Sequence, residues 1–412
     1  MKQLFKVNIN GLRSMTTKCF RVDTMNQNIV NAEYAVRGAV VLKAMEYQRA
    51  LDDGKTLPFD RIIECNIGNP QALGQKPMTF PRQVLALVNV PGLVNSPEIH
   101  KLFPQDAITR AKEYIAAMPG GTGAYSHSKG IPIARKDVAI FLEKRDGMAA
   151  DIEDIFLTDG ASQGVQTILK ALIRNEDDGI LVPIPQYPLY SAGIALNGGT
   201  LLEYHLEESE RWGMNVAVLK KTVEAARAKG ISPRACVIIN PGNPTGQCLS
   251  RENMQEIVTF CEEEELLIMA DEVYQENVYA SDREFVSFRK VVKEMQSNAE
   301  LVSFHSTSKG FFGECGRRGG YMHLEGICDS AKEQLYKLAS VSLCANIEGQ
   351  LMVAMMSNPP APGDQSFELY VQERDDILMS LHRRAIKLVA AFNTLEGVTC
   401  VRIYSIAYYF SD

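Results

Sequence analysis

Between residues 155 and 310 the chain alternates short apolar runs with longer segments in which apolar residues recur at helical spacing. The apolar runs cover residues 155–157, 180–182, 235–239, 266–270 and 301–304, and each is followed by polar residues, glycine or proline. This alternation predicts an α/β fold in which helices cover a mostly parallel sheet. Ligands bind beyond the carboxyl ends of the strands in such sheets, so functional residues are expected directly after the apolar runs.

Two of the intervening segments show the helical period clearly. Apolar residues at 165, 168, 169, 172 and 173 predict a helix that begins near Ser162. Those at 254, 257, 258 and 261 predict a second helix, with Ser250 placed to cap it. Further on, the run NPPAPG at 358–363 breaks the chain and precedes a long, charged segment at 367–392 that is predicted to be helical.

Composition excludes several classes of partner. The chain has 412 residues, a net charge of -7 and interspersed acids and bases, so nucleic acid is not expected as a partner. Its longest apolar runs are far shorter than the roughly 20 residues that span a bilayer, so no membrane association is expected. The nine cysteines form neither a CxxC pair nor a Cys/His cluster, which favours a reducing compartment and predicts no metal site.

The first 22 residues are basic and include the hydroxyl residues Ser14, Thr16 and Thr17. They contain Lys2, Lys6, Arg13, Lys18 and Arg21, with no acid before Asp23. This composition is typical of a mitochondrial transit peptide, and it also fits a disordered tail on a cytosolic protein. The location is therefore predicted to be mitochondrial or cytoplasmic.

The segment HSTSKGFFGECGRRGG at 305–320 follows the last apolar run and carries the strongest chemical signal. A lone lysine is usually a surface charge, but Lys309 lies between Ser306 and Ser308 on one side and Arg317 and Arg318 on the other. Hydroxyl groups and guanidinium forks are suited to binding phosphate. A lysine flanked by phosphate ligands indicates a cofactor aldehyde held as a Schiff base.

Two further motifs agree with a cofactor of this kind. The turn NPGNPTG at 240–246 would aim the Asn243 amide inward, where it can hydrogen-bond a phenolate oxygen. In ADEVY at 270–274, Asp271 ends an apolar run, where a carboxylate is costly unless it is paired. A protonated pyridine nitrogen is such a partner, and Tyr274 is placed to reach the same phenolate oxygen as Asn243.

Two weaker signals complete the candidate site. Ala161 and Ser162 start the first predicted helix, where free N–H groups favour an anion, although small-residue turns before helices are common. Tyr187 lies between prolines after the run at 180–182 and could stack on a pyridine ring. Taken alone, Tyr187 is as readily explained as a core tyrosine in a rigid turn.

The order of the motifs GASQG, IPQYPLY, NPGNPTG, ADEVYQENVYA and HSTSKGFFGECGRRGGY resembles that of the fold-type I aminotransferases. The residues of these motifs are similar to those of alanine aminotransferases. The same similarity extends to four earlier segments: EYAVRG at 33–38, NIGNPQALGQKP at 66–77, FPRQVLAL at 80–87 and GAYSHSKG at 123–130. The resemblance covers roughly residues 23–400. It implies pyridoxal 5'-phosphate as cofactor and a seven-stranded, mostly parallel sheet with helices on both faces, plus a smaller α+β domain.

The resemblance also implies a role for each candidate residue. Lys309 would form the Schiff base, Asp271 would pair with the pyridine nitrogen, and Asn243 and Tyr274 would contact the phenolate oxygen. The implied phosphate ligands are Ala161, Ser162, Ser306, Ser308, an arginine, and Tyr125 from the neighbouring subunit of a homodimer. Arg317 has the family's common distance from the lysine, but the following GGY aligns Arg318, which is the predicted ligand.

The implied reaction moves an amino group from L-alanine to 2-oxoglutarate in two half-reactions, giving pyruvate and L-glutamate. The implied domains are a possible transit peptide or tail at 1–22, an N-terminal arm with part of the small domain at 23–120, the cofactor domain at 121–358, and the start of a truncated small domain at 359–412.

The resemblance fades after residues 398–400, where the family's carboxylate-binding arginine region is expected, and Arg402 is a poor substitute. The sequence therefore predicts weak cofactor binding and poor transamination by this chain. Two alternatives stay open: a catalytically impaired protein that serves as an inactive dimer partner, and a lyase similar to aminocyclopropane-carboxylate synthase.

Overall fold

The computed structural model describes residues 20–34, 38–63, 68–279, 283–401 and 405. Its strands are β1 (Ile155–Thr158), β2 (Asp178–Ile184), β3 (Thr200–His205), β4 (Ser232–Ile239), β5 (Leu267–Asp271), β6 (Leu301–Ser306) and β7 (Gly320–Glu325). Its helices are α1 (Gln27–Asn31), α2 (Ala39–Asp52), α3 (Thr79–Asn89), α4 (Gln105–Ala117), α5 (Pro132–Asp146), α6 (Ala161–Leu172), α7 (Leu189–Asn197), α8 (Val216–Ala228), α9 (Arg251–Glu263), α10 (Phe288–Met295), α11 (Asp329–Val341), α12 (Ile347–Ser357) and α13 (Phe367–Phe392).

The seven strands form one sheet in the order β1-β7-β6-β5-β4-β2-β3. Only β7 runs against its neighbours: it pairs antiparallel with β1 and β6, while the other strand pairs are parallel. The carboxyl ends of the remaining six strands therefore lie at one edge of the sheet. This arrangement confirms the mostly parallel α/β sheet that the apolar runs predict.

Helices cover both faces because alternate residues of each strand point to opposite sides. Ile180 and Val182 of β2 belong to a cluster with residues of α6 and α7, whereas Leu181 belongs to a cluster with residues of α8, α9 and α10. Residues buried on both sides explain why these strands read as continuous apolar runs. The predicted helices are present as well: α6 begins at Ala161, Ser250 caps α9, and α13 spans the predicted charged segment.

A third apolar cluster joins α3, α4, α5 and α12 to one end of the sheet. It contains Ile108 and Val138, which lie on opposite sides of the predicted domain boundary at residue 120. The division of the chain into domains stays a prediction. No helix in the described part of the chain is long and apolar enough to cross a bilayer. The predicted transit segment up to residue 19 and Arg402 lie outside the described residues.

Candidate active site

The predicted site residues follow several strands at the same edge of the sheet. Asp271 is the last residue of β5, Ser306 is the last residue of β6, and Lys309 follows three residues later. Ala161 follows β1 and opens α6, and Asn243 follows β4. The parallel order of these strands thus brings together side chains that are up to about 150 residues apart along the chain.

Lys309 lies largely inside the protein, where its Nζ donates a hydrogen bond of 2.6 Å to the carbonyl oxygen of Gly68. Burial lowers the pKa of Lys309; the nearby Cys315 opposes this shift and the Arg318 guanidinium adds to it. An amine with a lowered pKa is more often neutral at physiological pH. Lys309 can therefore act as a nucleophile or a base.

Asp271 is a buried carboxyl group at the end of β5, with 5% of its surface exposed. The hydroxyl of Tyr190 donates a hydrogen bond of 2.8 Å to its Oδ2, and the N–H of Val273 donates one of 3.4 Å to Oδ1. Burial raises the pKa of Asp271 to about 6, against the opposing effect of these two hydrogen bonds. A cationic ligand at this carboxylate would restore its ionised form.

Arg318 lies at the centre of a group of donors. Its guanidinium contacts the Ser162 Oγ at 3.3 Å and the Ser308 Oγ at 3.5 Å, and donates to the carbonyl oxygens of Asp159 and Cys315 at 3.0 Å each. The adjacent start of α6 has no side-chain cap, so its first N–H groups are available to an anion. A guanidinium, two hydroxyls and a helix N-terminus form a site for a phosphate group.

A glycine allows the close approach of Arg318 to α6. Gly160 precedes α6 with a φ of 81°, and a Cβ on this residue would lie 2.4 Å from the Arg318 Nη2. Arg317, by contrast, forms an ion pair with Glu348 on α12. The structure thus places Arg318, rather than Arg317, beside Ser162 and Ser308.

The remaining predicted residues differ in their surroundings. Tyr274 is buried and lies in a small cluster with Val273, against which Ala161 packs. Asn243 is buried in the turn after β4, and Ser306 is buried with its hydroxyl bonded to the Gly319 carbonyl at 3.1 Å. Tyr125 is 78% exposed, so its predicted role depends on a second subunit.

Three residues at the site were missed by sequence reasoning. Tyr190 bonds Asp271, Gly68 accepts the bond from Lys309, and the Tyr34 hydroxyl lies 3.0 Å from that of the half-buried Tyr187. Each lies within one of the motifs that resemble the aminotransferases, so the resemblance could have identified it as a candidate site residue. Their contacts span 81 to 241 residues of sequence, and spacing alone does not reveal contacts at that range.

This donor set fits pyridoxal phosphate. A buried carboxyl with a raised pKa suits a protonated pyridine nitrogen, a buried lysine with a lowered pKa suits the aldehyde, and the Arg318 group suits the phosphate.

Residues 94–410 match the family described as aminotransferase class I and II. The chain belongs to this family. It is 53% identical to a probable mitochondrial alanine aminotransferase of Dictyostelium discoideum over 95% of this chain and 75% of that relative. It is 51% identical to glutamate–glyoxylate aminotransferase 1 of Arabidopsis thaliana, over 94% of this chain and 79% of the relative.

Among solved structures, an alanine aminotransferase from Pyrococcus furiosus superposes with a TM-score of 0.74 at 23% identity, covering 94% of this chain and 83% of that one. This likeness confirms the fold. The protein is therefore a pyridoxal-phosphate-dependent aminotransferase that acts on amino and 2-oxo acids. These matches confirm the predicted family and cofactor, and they do not favour the lyase or the inactive dimer partner.

Proposed function

We propose that this aminotransferase transfers the amino group between L-alanine and 2-oxoglutarate, giving pyruvate and L-glutamate. The observation that carries the chemistry is that Lys309, largely buried and with a lowered pKa, lies at the same sheet edge as the buried Asp271. The 53% identity to a relative named as an alanine aminotransferase supports the choice of substrates.

In this proposal each residue at the sheet edge has a separate role toward pyridoxal phosphate. Lys309 attaches the aldehyde, Asp271 binds the ring nitrogen, Tyr187 packs on the ring, and Asn243 and Tyr274 bind its oxygen. The phosphate ligands are Ala161, Ser162, Ser306, Ser308 and Arg318, with Tyr125 from a second subunit. Bound there, the cofactor supplies an aldehyde that takes up the amino group and a cationic ring that accepts electrons from the substrate Cα.

The side chains of this protein supply the proton transfers and the electrostatics. Lys309, whose pKa is lowered by burial, would act as the base that moves the proton from the substrate Cα to the carbon that carries the cofactor's aldehyde. In the second half-reaction it would move a proton in the opposite direction, from that carbon to the Cα of the new product. Asp271 stays ionised once it faces a cation, and Tyr190 holds its carboxylate in a fixed orientation through the 2.8 Å hydrogen bond. These groups are fixed by the fold before substrate arrives, which reduces the reorganisation needed during reaction.

The test is a coupled assay with alanine and 2-oxoglutarate, together with borohydride reduction of the cofactor-loaded protein and peptide mapping. We expect parallel lines in double-reciprocal plots, as in a ping-pong reaction, and a reduced label on Lys309. The Lys309→Ala variant is the matched control and should show neither label nor turnover. A label on another lysine, or full activity in that variant, would refute the proposal.

A second candidate is transfer from glutamate to glyoxylate, because a relative with that name is 51% identical to this chain. Measuring kcat/KM with pyruvate, glyoxylate and 2-oxoglutarate as acceptors separates the two functions. A kcat/KM for glyoxylate that exceeds that for pyruvate by tenfold or more, about 1.4 kcal/mol of transition-state binding, would replace the alanine–pyruvate pair by glycine and glyoxylate in the proposed reaction.

We also propose a homodimer with shared active sites and a mitochondrial location. The exposed Tyr125 supports the dimer, and the name of the Dictyostelium discoideum relative, together with the basic first 22 residues, supports the location. Fusing residues 1–22 to a fluorescent protein tests the location. A fusion that stays in the cytosol would support the cytoplasmic alternative.

A further inference from the structure

Glu272 directly follows Asp271, the proposed ligand of the ring nitrogen, but its side chain contacts a different set of residues. It is 1% exposed, and its Oε1 accepts a hydrogen bond of 2.8 Å from the N–H of Phe288, the first residue of α10. Its Oε2 lies 3.8 Å from Nη1 of Arg145 in the last turn of α5. The Glu272 carboxylate therefore connects the end of β5 to two helices.

Arg145 extends this connection along the turn after β5. Its Nη1 donates a hydrogen bond of 2.9 Å to Oε1 of Gln275, and Nε2 of Gln275 donates one of 3.1 Å to the carbonyl oxygen of Glu272. The Glu272 N–H in turn donates to the Phe304 carbonyl on β6 at 3.0 Å. Both the side chain and the backbone of Glu272 are thus fixed, and with them the segment that carries Asp271 and Tyr274.

Asp146, which forms an ion pair with Arg145, is itself held by several hydrogen bonds. Asp146 accepts two hydrogen bonds from Arg145, at 2.7 and 2.9 Å, and further bonds from Ser287 at 2.8 Å and Arg289 at 3.0 Å. A buried charge is tolerated only with such partners, and these hydrogen bonds hold Asp146, and with it the Arg145 guanidinium, in place. Arg145 is thus a fixed cation 3.8 Å from the Glu272 Oε2.

We propose that Glu272 is a positioning residue for the cofactor site: through the Phe288 N–H and Arg145 it fixes the turn that presents the Asp271 carboxylate and the Tyr274 side chain. The inference rests on the proposed role of Asp271 at the ring nitrogen. Misplacing a ligand by a fraction of an ångström weakens binding without removing any contact group. Glu272 itself touches neither cofactor nor substrate in this scheme.

The test compares Glu272→Ala, Glu272→Gln and Asp178→Asn as purified, refolded apoproteins titrated with pyridoxal phosphate. Asp178 is the matched control because its carboxyl is likewise buried and bonded to an arginine, Arg174, but lies at the start of β2. We measure the cofactor Kd, the pH midpoint of the bound cofactor's absorbance, and the unfolding temperature.

We expect Glu272→Ala to raise the cofactor Kd about tenfold, which is the size of effect found when a residue that orients a binding group is replaced. We also expect this variant to shift the pH midpoint of the bound cofactor's absorbance. Glu272→Gln keeps an acceptor for Phe288 and should stay within about threefold of wild type. Asp178→Asn should lower the unfolding temperature but leave Kd and midpoint unchanged. If Glu272→Ala does not fold, Glu272→Asp, which withdraws the carboxylate by one methylene, takes its place with the same expectation.

A wild-type Kd and midpoint in Glu272→Ala, or equal shifts in Asp178→Asn, would overturn the inference. Asp271→Asn separates this failure from failure of the proposed function. If Asp271→Asn changes the midpoint and Glu272→Ala does not, Glu272 has no positioning role. If Asp271→Asn also leaves the midpoint unchanged, the proposed ring-nitrogen contact is wrong.

Discussion

Tyr190 in the first turn of α7 donates a hydrogen bond of 2.8 Å to the Asp271 carboxylate at the end of β5. Both side chains are buried, and the bond links the loop that carries Tyr187 to the strand that carries the proposed ring-nitrogen ligand. Burial raises the pKa of Asp271, and this hydrogen bond is the larger of the two effects that oppose the rise. Tyr190 therefore helps to keep the carboxylate ionised.

Replacing Tyr190 by phenylalanine should raise the pKa of Asp271 further and weaken its hold on a cationic ring. Hydrogen bonds to charged groups contribute about 1.5–3 kcal/mol, so we expect kcat/KM to fall about tenfold or more. The control is Tyr204→Phe, which removes a buried hydroxyl that donates to the Val237 carbonyl at 2.7 Å. Equal kcat/KM values in the two variants would contradict the assigned role.

The apoprotein should also show a pH dependence of stability that comes from Asp271. Its pKa is about 6 when folded, against 3.8 for an unburied aspartate. Between these values the folded state holds a proton that the unfolded chain has released, so this contribution to stability is lost as pH rises from about 4 to 6. The loss amounts to about 3 kcal/mol at full ionisation.

Asp271→Asn removes the titrating group and should make the apoprotein more stable than wild type at pH 8, with the difference shrinking toward pH 4. Urea unfolding of both apoproteins at several pH values measures this difference. Glu272, whose pKa burial raises to about 7, acts with the same sign and is present in both proteins. A difference that does not vary with pH would show that Asp271 is ionised in the folded apoprotein.

Much of the sheet can be predicted from sequence, because strands buried on both faces read as apolar runs. β3 and β7 were not predicted. β3 lies at the edge of the sheet, where only one of its six residues is buried, and β7 interrupts its apolar pattern with His323 and ends on Glu325. Neither strand therefore has the continuous apolar pattern that marks the central ones.

The motifs gave the candidate residues but not the contacts that hold them. Asp271 could be proposed because a carboxylate at the end of an apolar run is unusual, and Lys309 because hydroxyl side chains and two arginines flank it. The sequence gives no comparable signal for Glu272, the residue after Asp271, because its partners Arg145 and Phe288 lie on two different helices. Contacts of this kind depend on how helices pack on the sheet, and local patterns do not encode that packing.

Arg318 and Arg317 should behave differently when each is replaced by alanine. Arg318 lies beside Ser162 and Ser308, so its loss should weaken cofactor binding by tenfold or more, about 1.5–3 kcal/mol for a charge-assisted bond. Arg317 pairs with Glu348, and its loss should leave the cofactor Kd within about twofold, as for a partly exposed ion pair. Fluorescence titration of the apoproteins measures both, and the reverse order would reassign the phosphate ligand.

Gly160→Ala should disturb the phosphate site by displacing Arg318, whereas Arg318→Ala removes that side chain. The new Cβ would lie 2.4 Å from the Arg318 Nη2, and the φ of 81° is unfavourable for any residue with a side chain. We expect a destabilisation of at least about 1 kcal/mol together with weaker cofactor binding. Gly147→Ala is the control, since its φ of 78° is similar but its Cβ would meet no atom within 4 Å. That variant should lose stability with an unchanged Kd.

The shared-site dimer can be tested by mixing inactive or impaired variants. Tyr125→Phe removes the hydroxyl proposed to reach the neighbouring subunit, and Lys309→Ala removes the amine that attaches the cofactor. In a hybrid of the two, one site contains both mutations and the other has an intact Lys309 and an intact Tyr125. Unfolding and refolding the two variants together makes about half of the dimers hybrids, so activity should approach about a quarter of the wild-type value.

The control mixture is Lys309→Ala with Asp271→Asn, whose mutated residues belong to the same subunit's part of the site. Each site of that hybrid keeps one defect, so no recovery is expected, although the mixture refolds and exchanges subunits in the same way. If the mixture of Tyr125→Phe and Lys309→Ala has only the mean activity of the two separate variants, Tyr125 does not contribute to the active site of the neighbouring subunit.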